Sequence, residues 1–213
     1  MSIIDSISAQ TETPMTAKID YYFTCISPFT FLGHELLIKT AAAAGAQINF
    51  LPTRLGPVFA NSGAKPLGER PQARQAYRLV ELKRWAKKRG LALNLQPKFF
   101  PSDPALADSC VIALLAARQN PAEFAGRVMA ACWVDDKNIA DSQVIRAALE
   151  ACGFDADAIL AAAGADATAA TYDQNTEQAV ALGILGAPSY VLNGEQFWGQ
   201  DRLELLAEAL AQV

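Results

Sequence analysis

One histidine, His34, stands in 213 residues, and none of the four cysteines (Cys25, Cys110, Cys132, Cys152) belongs to a CxxC pair. That scarcity removes the clustered Cys and His on which structural zinc sites depend, so no metal site is expected. No apolar run approaches the roughly 18–20 residues needed to cross a bilayer. The stretch 111–117 is far too short, and no membrane partner is expected. Residues 1–17 lack the basic start and unbroken apolar segment of a secretory signal. They read as a flexible polar leader, with Met15 an alternative start. Basic residues are not in surplus either: 18 Lys and Arg against 22 Asp and Glu leave a net charge of −4. That is the wrong sign for a protein whose main partner is nucleic acid, and a small molecule is expected instead. Charged residues make up only 19% of the chain and hydrophobic residues 52%, ample for a large buried core. Cysteines set in alanine-rich helical surroundings read as small buried apolar residues, which suits a reducing, cytoplasmic setting.

The pattern divides the chain into α/β ends and a helical middle. Residues 18–24 (KIDYYFT) alternate and are rich in Tyr, Phe and Ile, which predicts a strand. A helix follows at once, with Ser27 as N-cap, Pro28 in the first turn and Gly45 as stop. A second strand is predicted over 47–51, closing a βαβ unit of about 35 residues. From 71 to 181 helical periods and capping signals dominate. The predicted helices run over 71–89, 103–118, 121–133, 142–152, 155–163 and 167–182. Strand grammar then returns: 189–192, the Asn193-Gly194 hairpin signal, 196–198, and a last helix over 202–210. βαβ at one end and ββα at the other are the two halves of a thioredoxin-like sheet. The fold class is therefore α/β: a thioredoxin-like domain (18–66 and 182–213) with an inserted all-helical domain (67–181).

Two junctions carry the candidate chemistry. In Cys25-Ile26-Ser27-Pro28-Phe29-Thr30, a hydroxyl at a helix start is surrounded by free N–H groups and the positive end of the helix dipole, which together favour an anion. A plain N-cap is the competing reading. If the thioredoxin register holds, Ser27 and Thr30 occupy the two positions of a redox pair, and a Ser and a Thr cannot form a disulfide. In Gly186-Ala187-Pro188-Ser189, a cis proline would turn the neighbouring backbone toward an extended peptide, whereas an ordinary proline would merely start the strand.

The segments FTCISPFTFLG (23–33), NSGAKP (61–66), PQARQAYRLVELKRWA (71–86) and GILGAPSYVLNGEQFWGQDRLELL (183–206) resemble the 2-hydroxychromene-2-carboxylate isomerases. These are similar to the kappa-class glutathione transferases and belong to the DsbA-like branch of the thioredoxin superfamily. The resemblance spans residues 18–213. It implies glutathione as cofactor, a small aromatic substrate, a homodimer, and isomerisation of an aromatic-degradation intermediate. By resemblance Ser27 is the catalytic residue, bonded to the glutathione sulfur. The backbone at Ala187 and Pro188 holds the cysteinyl part, and Gly199, Gln200 and Asp201 lie at the glutamyl end. Asp201 would cap the final helix and meet the ammonium. Lys65, Arg74 and Trp198 are the candidate substrate-binding residues: two cations for a carboxylate and a ring for an aromatic floor. Trp85, Phe99 and Phe100 share that aromatic role with core packing as the alternative. Ala64 stands where many relatives carry asparagine, and Asn61 is the candidate substitute. Cys25 is either a reactive thiol or a structural one. The helix over 70–89 holds 8 of the 18 basic residues, among them Arg70, Arg74 and Arg78 at i, i+4 spacing. A solvated face is one explanation and a carboxylate-holding face the other. Three further readings remain beside the isomerase: a kappa-like transferase or peroxidase, a catalytically silent binding protein, and a disulfide oxidoreductase, which the missing CxxC disfavours.

Overall fold

The computed structural model describes residues 16–213. The leader expected over 1–17 lies outside them apart from Thr16 and Ala17, as does Met15. Four strands form one mixed sheet in the order β2-β1-β3-β4: β1 (Lys18–Phe23) runs parallel to β2 (Gln47–Pro52) and antiparallel to β3 (Ser189–Leu192), which pairs with β4 (Glu195–Trp198). The two chain ends thus build one thioredoxin-like sheet. Helix α1 (Pro28–Ala43) links β1 and β2, α2 (Leu55–Ser62) follows β2, and α3 (Gln72–Arg89), α4 (Ala105–Ala116), α5 (Ala122–Trp133), α6 (Ser142–Ala151), α7 (Ala156–Ala163) and α8 (Asp166–Ala181) lie between β2 and β3 in the chain. Helix α9 (Leu203–Leu210) closes the chain. The strand and helix predictions hold to within two residues at each end. Helix α2 and the 3-10 turns Leu67–Glu69 and Gln200–Arg202 were not foreseen.

One main core crosses from sheet to helices. Ile19, Tyr21, Phe23 and Tyr190 of the strands are buried with Leu37 of α1 and with Val111, Leu114, Phe124, Met129 and Trp133 of α4 and α5. The aromatic strand residues that suggested β-structure form its centre, with Tyr21 stacked on Phe23 and Tyr190 at centroid separations of 4.3 and 5.5 Å. His34 is buried in the same core, its ring nitrogens within 3.3 Å of the Tyr21 hydroxyl and 2.8 Å of the Ala122 carbonyl, so burial lowers its pKa and keeps the ring a packing element.

A close backbone approach places the C-terminal turn against α1. A Cβ at Gly33 would fall 2.8 Å from Gln200 Cβ and 2.9 Å from the Tyr190 hydroxyl. Glycine is required there for contact rather than for backbone angle. Gly33→Ala is expected to destabilise the chain by about 1–3 kcal/mol, the usual cost of overpacking, read as a lower urea midpoint. An unchanged midpoint would show that the turn yields freely.

Candidate active site

The site is assembled where β1 hands over to α1. Strand β1 ends at Phe23, and Ser27 adopts an extended conformation that caps α1, its hydroxyl accepting from the Thr30 N–H at 3.2 Å. The same hydroxyl donates to the Ala187 carbonyl at 3.3 Å, across 160 residues of sequence. Ala187-Pro188 is cis, and the Pro188 carbonyl accepts from the Gly199 N–H at 2.9 Å. The helix start, the cis-proline loop and the β4 exit therefore meet at one point. Gly199 has φ 107°, a backbone angle that favours glycine and lets the chain leave β4 sharply into the 3-10 turn Gln200–Arg202. Over this junction lies an aromatic wall: Trp198 is half exposed, and its Nε1 lies 3.2 Å, and Phe59 Cε1 3.7 Å, from where a Gly186 Cβ would stand.

The residues before Ser27 are held from beneath by Asp108 of α4. This carboxylate is completely buried and accepts from the Thr24 hydroxyl at 2.7 Å, the Cys25 N–H at 2.8 Å and the Tyr172 hydroxyl at 2.6 Å. Burial raises its pKa against the pull of those three donors. Trp133 Nε1 donates to the Ile26 carbonyl at 3.2 Å, fixing the next residue from α5. The loop 24–27 is thus gripped by two helices that lie far from it in sequence. Nothing in residue spacing signals this network.

A thioredoxin sheet with its cis proline facing a capped helix start fits the DSBA-like thioredoxin domain, which matches residues 18–211. The 2-hydroxychromene-2-carboxylate isomerase of Sphingobium xenophagum is 30% identical over 198 residues, covering 92% of this chain and 99% of that protein. The chain belongs to the 2-hydroxychromene-2-carboxylate isomerases of the DsbA-like family. By family it is an enzyme of the isomerase class. A glutathione S-transferase kappa 1 of Caenorhabditis elegans is 28% identical over 211 residues, covering 93% of each chain. A solved 2-hydroxychromene-2-carboxylate isomerase superposes with a TM-score of 0.72 at 25% identity, covering 92% of this chain and 95% of that one.

In this DsbA-like isomerase the structure joins Ser27, Ala187, Pro188, Gly199 and Trp198 directly. Gln200 is adjacent but turned inward: it is 2% exposed and held by Arg89, whose Nη2 donates to the Gln200 carbonyl at 2.9 Å and whose Nε donates to Gln200 Oε1 at 3.3 Å. Its side chain supports the turn. Asp201 does not cap the final helix, as the sequence reading had it: the 3-10 turn comes first, α9 begins at Leu203, and Asp201 instead pairs with Arg202 at 3.1 Å. Lys65 and Arg74 are exposed, and neither makes an ion pair or side-chain hydrogen bond among the described residues. Asn61 donates to the Val180 carbonyl at 3.3 Å, tying α2 to the end of α8 rather than replacing what Ala64 lacks. Thr30, in the second redox position, is fully buried with its hydroxyl unpartnered among the described residues. Cys25 is structural: it is completely buried, and burial together with Asp108 pushes its thiol up. Among the described residues no group of three or more His, Cys, Asp or Glu is placed to hold a metal, and no helix is long and apolar enough to cross a membrane.

Proposed function

We propose that this chain is a glutathione-dependent isomerase interconverting 2-hydroxychromene-2-carboxylate and trans-o-hydroxybenzylidenepyruvate, or a close aromatic-degradation analogue. The observation that carries the reading is the Ser27 hydroxyl at the start of α1, 3.3 Å from the carbonyl beside cis Pro188. The donor set fits glutathione. Ser27 and the first-turn N–H groups of α1, of which Phe29 has no acceptor within the helix, suit a thiolate. The backbone at Ala187 suits a peptide, and the Asp201 carboxylate, partly exposed and paired with Arg202 through one oxygen, suits an ammonium. When bound, glutathione would supply a thiolate whose reversible addition to the conjugated double bond removes the double-bond character that blocks rotation.

The chain's own part is positioning and electrostatics. Ser27 turns its hydroxyl from Ala187 toward the bound anion, Asp108 and Trp133 hold the loop that presents it, and Trp198 and Phe59 shield the junction from water. Donors fixed before the reaction begins cost nothing to reorganise when charge appears. The deciding experiment follows the two isomers by ultraviolet absorbance with and without glutathione. Turnover that requires substoichiometric glutathione and leaves its concentration unchanged is the expected result. Stoichiometric loss of glutathione would make the chain a kappa-like transferase. No glutathione dependence at all would overturn the reading.

A further inference from the structure

Helix α3 carries a cation that the fold leaves without a counter-charge. Arg54, Arg84, Arg89, Arg127, Arg146 and Arg202 each lie within 3.2 Å of a carboxylate oxygen. Arg78 shares with Arg70, Arg74 and Arg118 the lack of such a partner among the described residues, and it makes no side-chain hydrogen bond there. Its guanidinium lies instead 5.4 Å from the Phe100 ring centroid and 5.9 Å from that of Trp133, two rings themselves 4.8 Å apart. Trp133 is the residue whose indole N–H holds the Ile26 carbonyl, so the ring beneath Arg78 is bonded to the residue preceding Ser27. Partial burial and the neighbouring Arg70 bring the Arg78 pKa down to about 10, a sign that its charge is poorly compensated. A half-buried cation on aromatic faces is only partly stabilised by them, and an anion that arrives with a ligand supplies what is missing.

We infer that Arg78 is the substrate-recognition residue of this site, pairing with the carboxylate of an aromatic acid whose ring lies beside Phe100. The inference rests on the proposed isomerase reading for the identity of the ligand, but not for the existence of the anion site. It also explains why exposed Lys65 and Arg74 are poorer candidates: their charges are screened by water and lie on no ring. A planar guanidinium binds a carboxylate through two parallel hydrogen bonds, which an ammonium cannot copy.

The test uses equilibrium binding of trans-cinnamate and its neutral amide to the whole protein by calorimetry, so that turnover plays no part. The wild type is expected to bind the acid about 10- to 100-fold more tightly than the amide. Arg78→Gln should erase that preference, Arg78→Lys should keep part of it, and Arg74→Gln should leave it intact. Urea midpoints measured alongside separate a lost contact from a lost fold. A wild type without the preference, or an Arg78→Gln protein that retains it, overturns the inference. Acid preference that depends on Arg78 in a protein failing the isomerisation assay would reject the proposed reaction and leave the anion site standing.

Discussion

Ser27→Ala is expected to lower glutathione-dependent isomerisation by about 10²- to 10³-fold in kcat, the range seen when one preorganised donor to a developing anion is removed. The Ser27 hydroxyl already spends its acceptor lone pair on the Thr30 N–H and has its proton on a carbonyl, so a nearby thiolate can take that proton's hydrogen bond without disturbing the cap. Together with the start of α1 it favours the ionised sulfur, so the acid limb of the wild-type pH profile should lie below the ~8.5 of an ordinary thiol. In the variant that limb should move up toward the ordinary value, activity at neutral pH falling more than activity at pH 9. Losing the cap costs about 1 kcal/mol of stability, so rates are compared well below the melting transition. A variant within threefold of wild type, with an unshifted profile, would remove Ser27 from the chemistry and leave it a cap alone.

The second large effect is on folding. Asp108→Ala should destabilise the protein by about 4 kcal/mol, because hydrogen bonds to a buried carboxylate contribute about 1.5–3 kcal/mol each and removing it strands the donors. Relief of the buried charge and rotation of the Thr24 and Tyr172 hydroxyls offset part of the sum, while the fixed Cys25 N–H cannot turn away. At 2–4 °C per kcal/mol for a chain of this size, the melting temperature should fall by about 8–16 °C. Asp108→Asn, which keeps the volume and one acceptor, should fall between the two. A loss below 1 kcal/mol in urea denaturation would mean that water or a shifted side chain replaces the carboxylate.

How much of this was visible beforehand follows the range of each interaction. β1, β3 and the Asn193-Gly194 turn announced themselves because alternation and turn chemistry act between near neighbours. α2 did not: Gly56 and Pro57 look like loop residues, although Pro57 falls in the first turn, where a missing N–H has no acceptor to disappoint. Gly63, at φ 71°, was the one local stop signal there. The Asp201 assignment failed because the turn beginning at Gly199 spends three residues before α9 starts, a detail of backbone path that composition does not encode. Spacing put Arg70, Arg74 and Arg78 on one helical face but could not say which of them would meet a ring. In the fold Arg70 lies over Phe59 and Arg78 over Phe100 and Trp133, so packing separates both from Arg74. Asp108 was wholly silent, its partners lying 83, 84 and 64 residues away.

The state of the three fully buried cysteines bears on how the protein withstands electrophiles. Burial pushes the Cys110 thiol to about 12 and the Cys132 thiol to about 11, and holds Cys25 well above the ordinary thiol range beside the very loop that carries Ser27. Conjugated ketones and other soft electrophiles alkylate thiolates, not thiols. An electrophile that reaches the junction therefore meets Cys25 as a buried, un-ionised thiol.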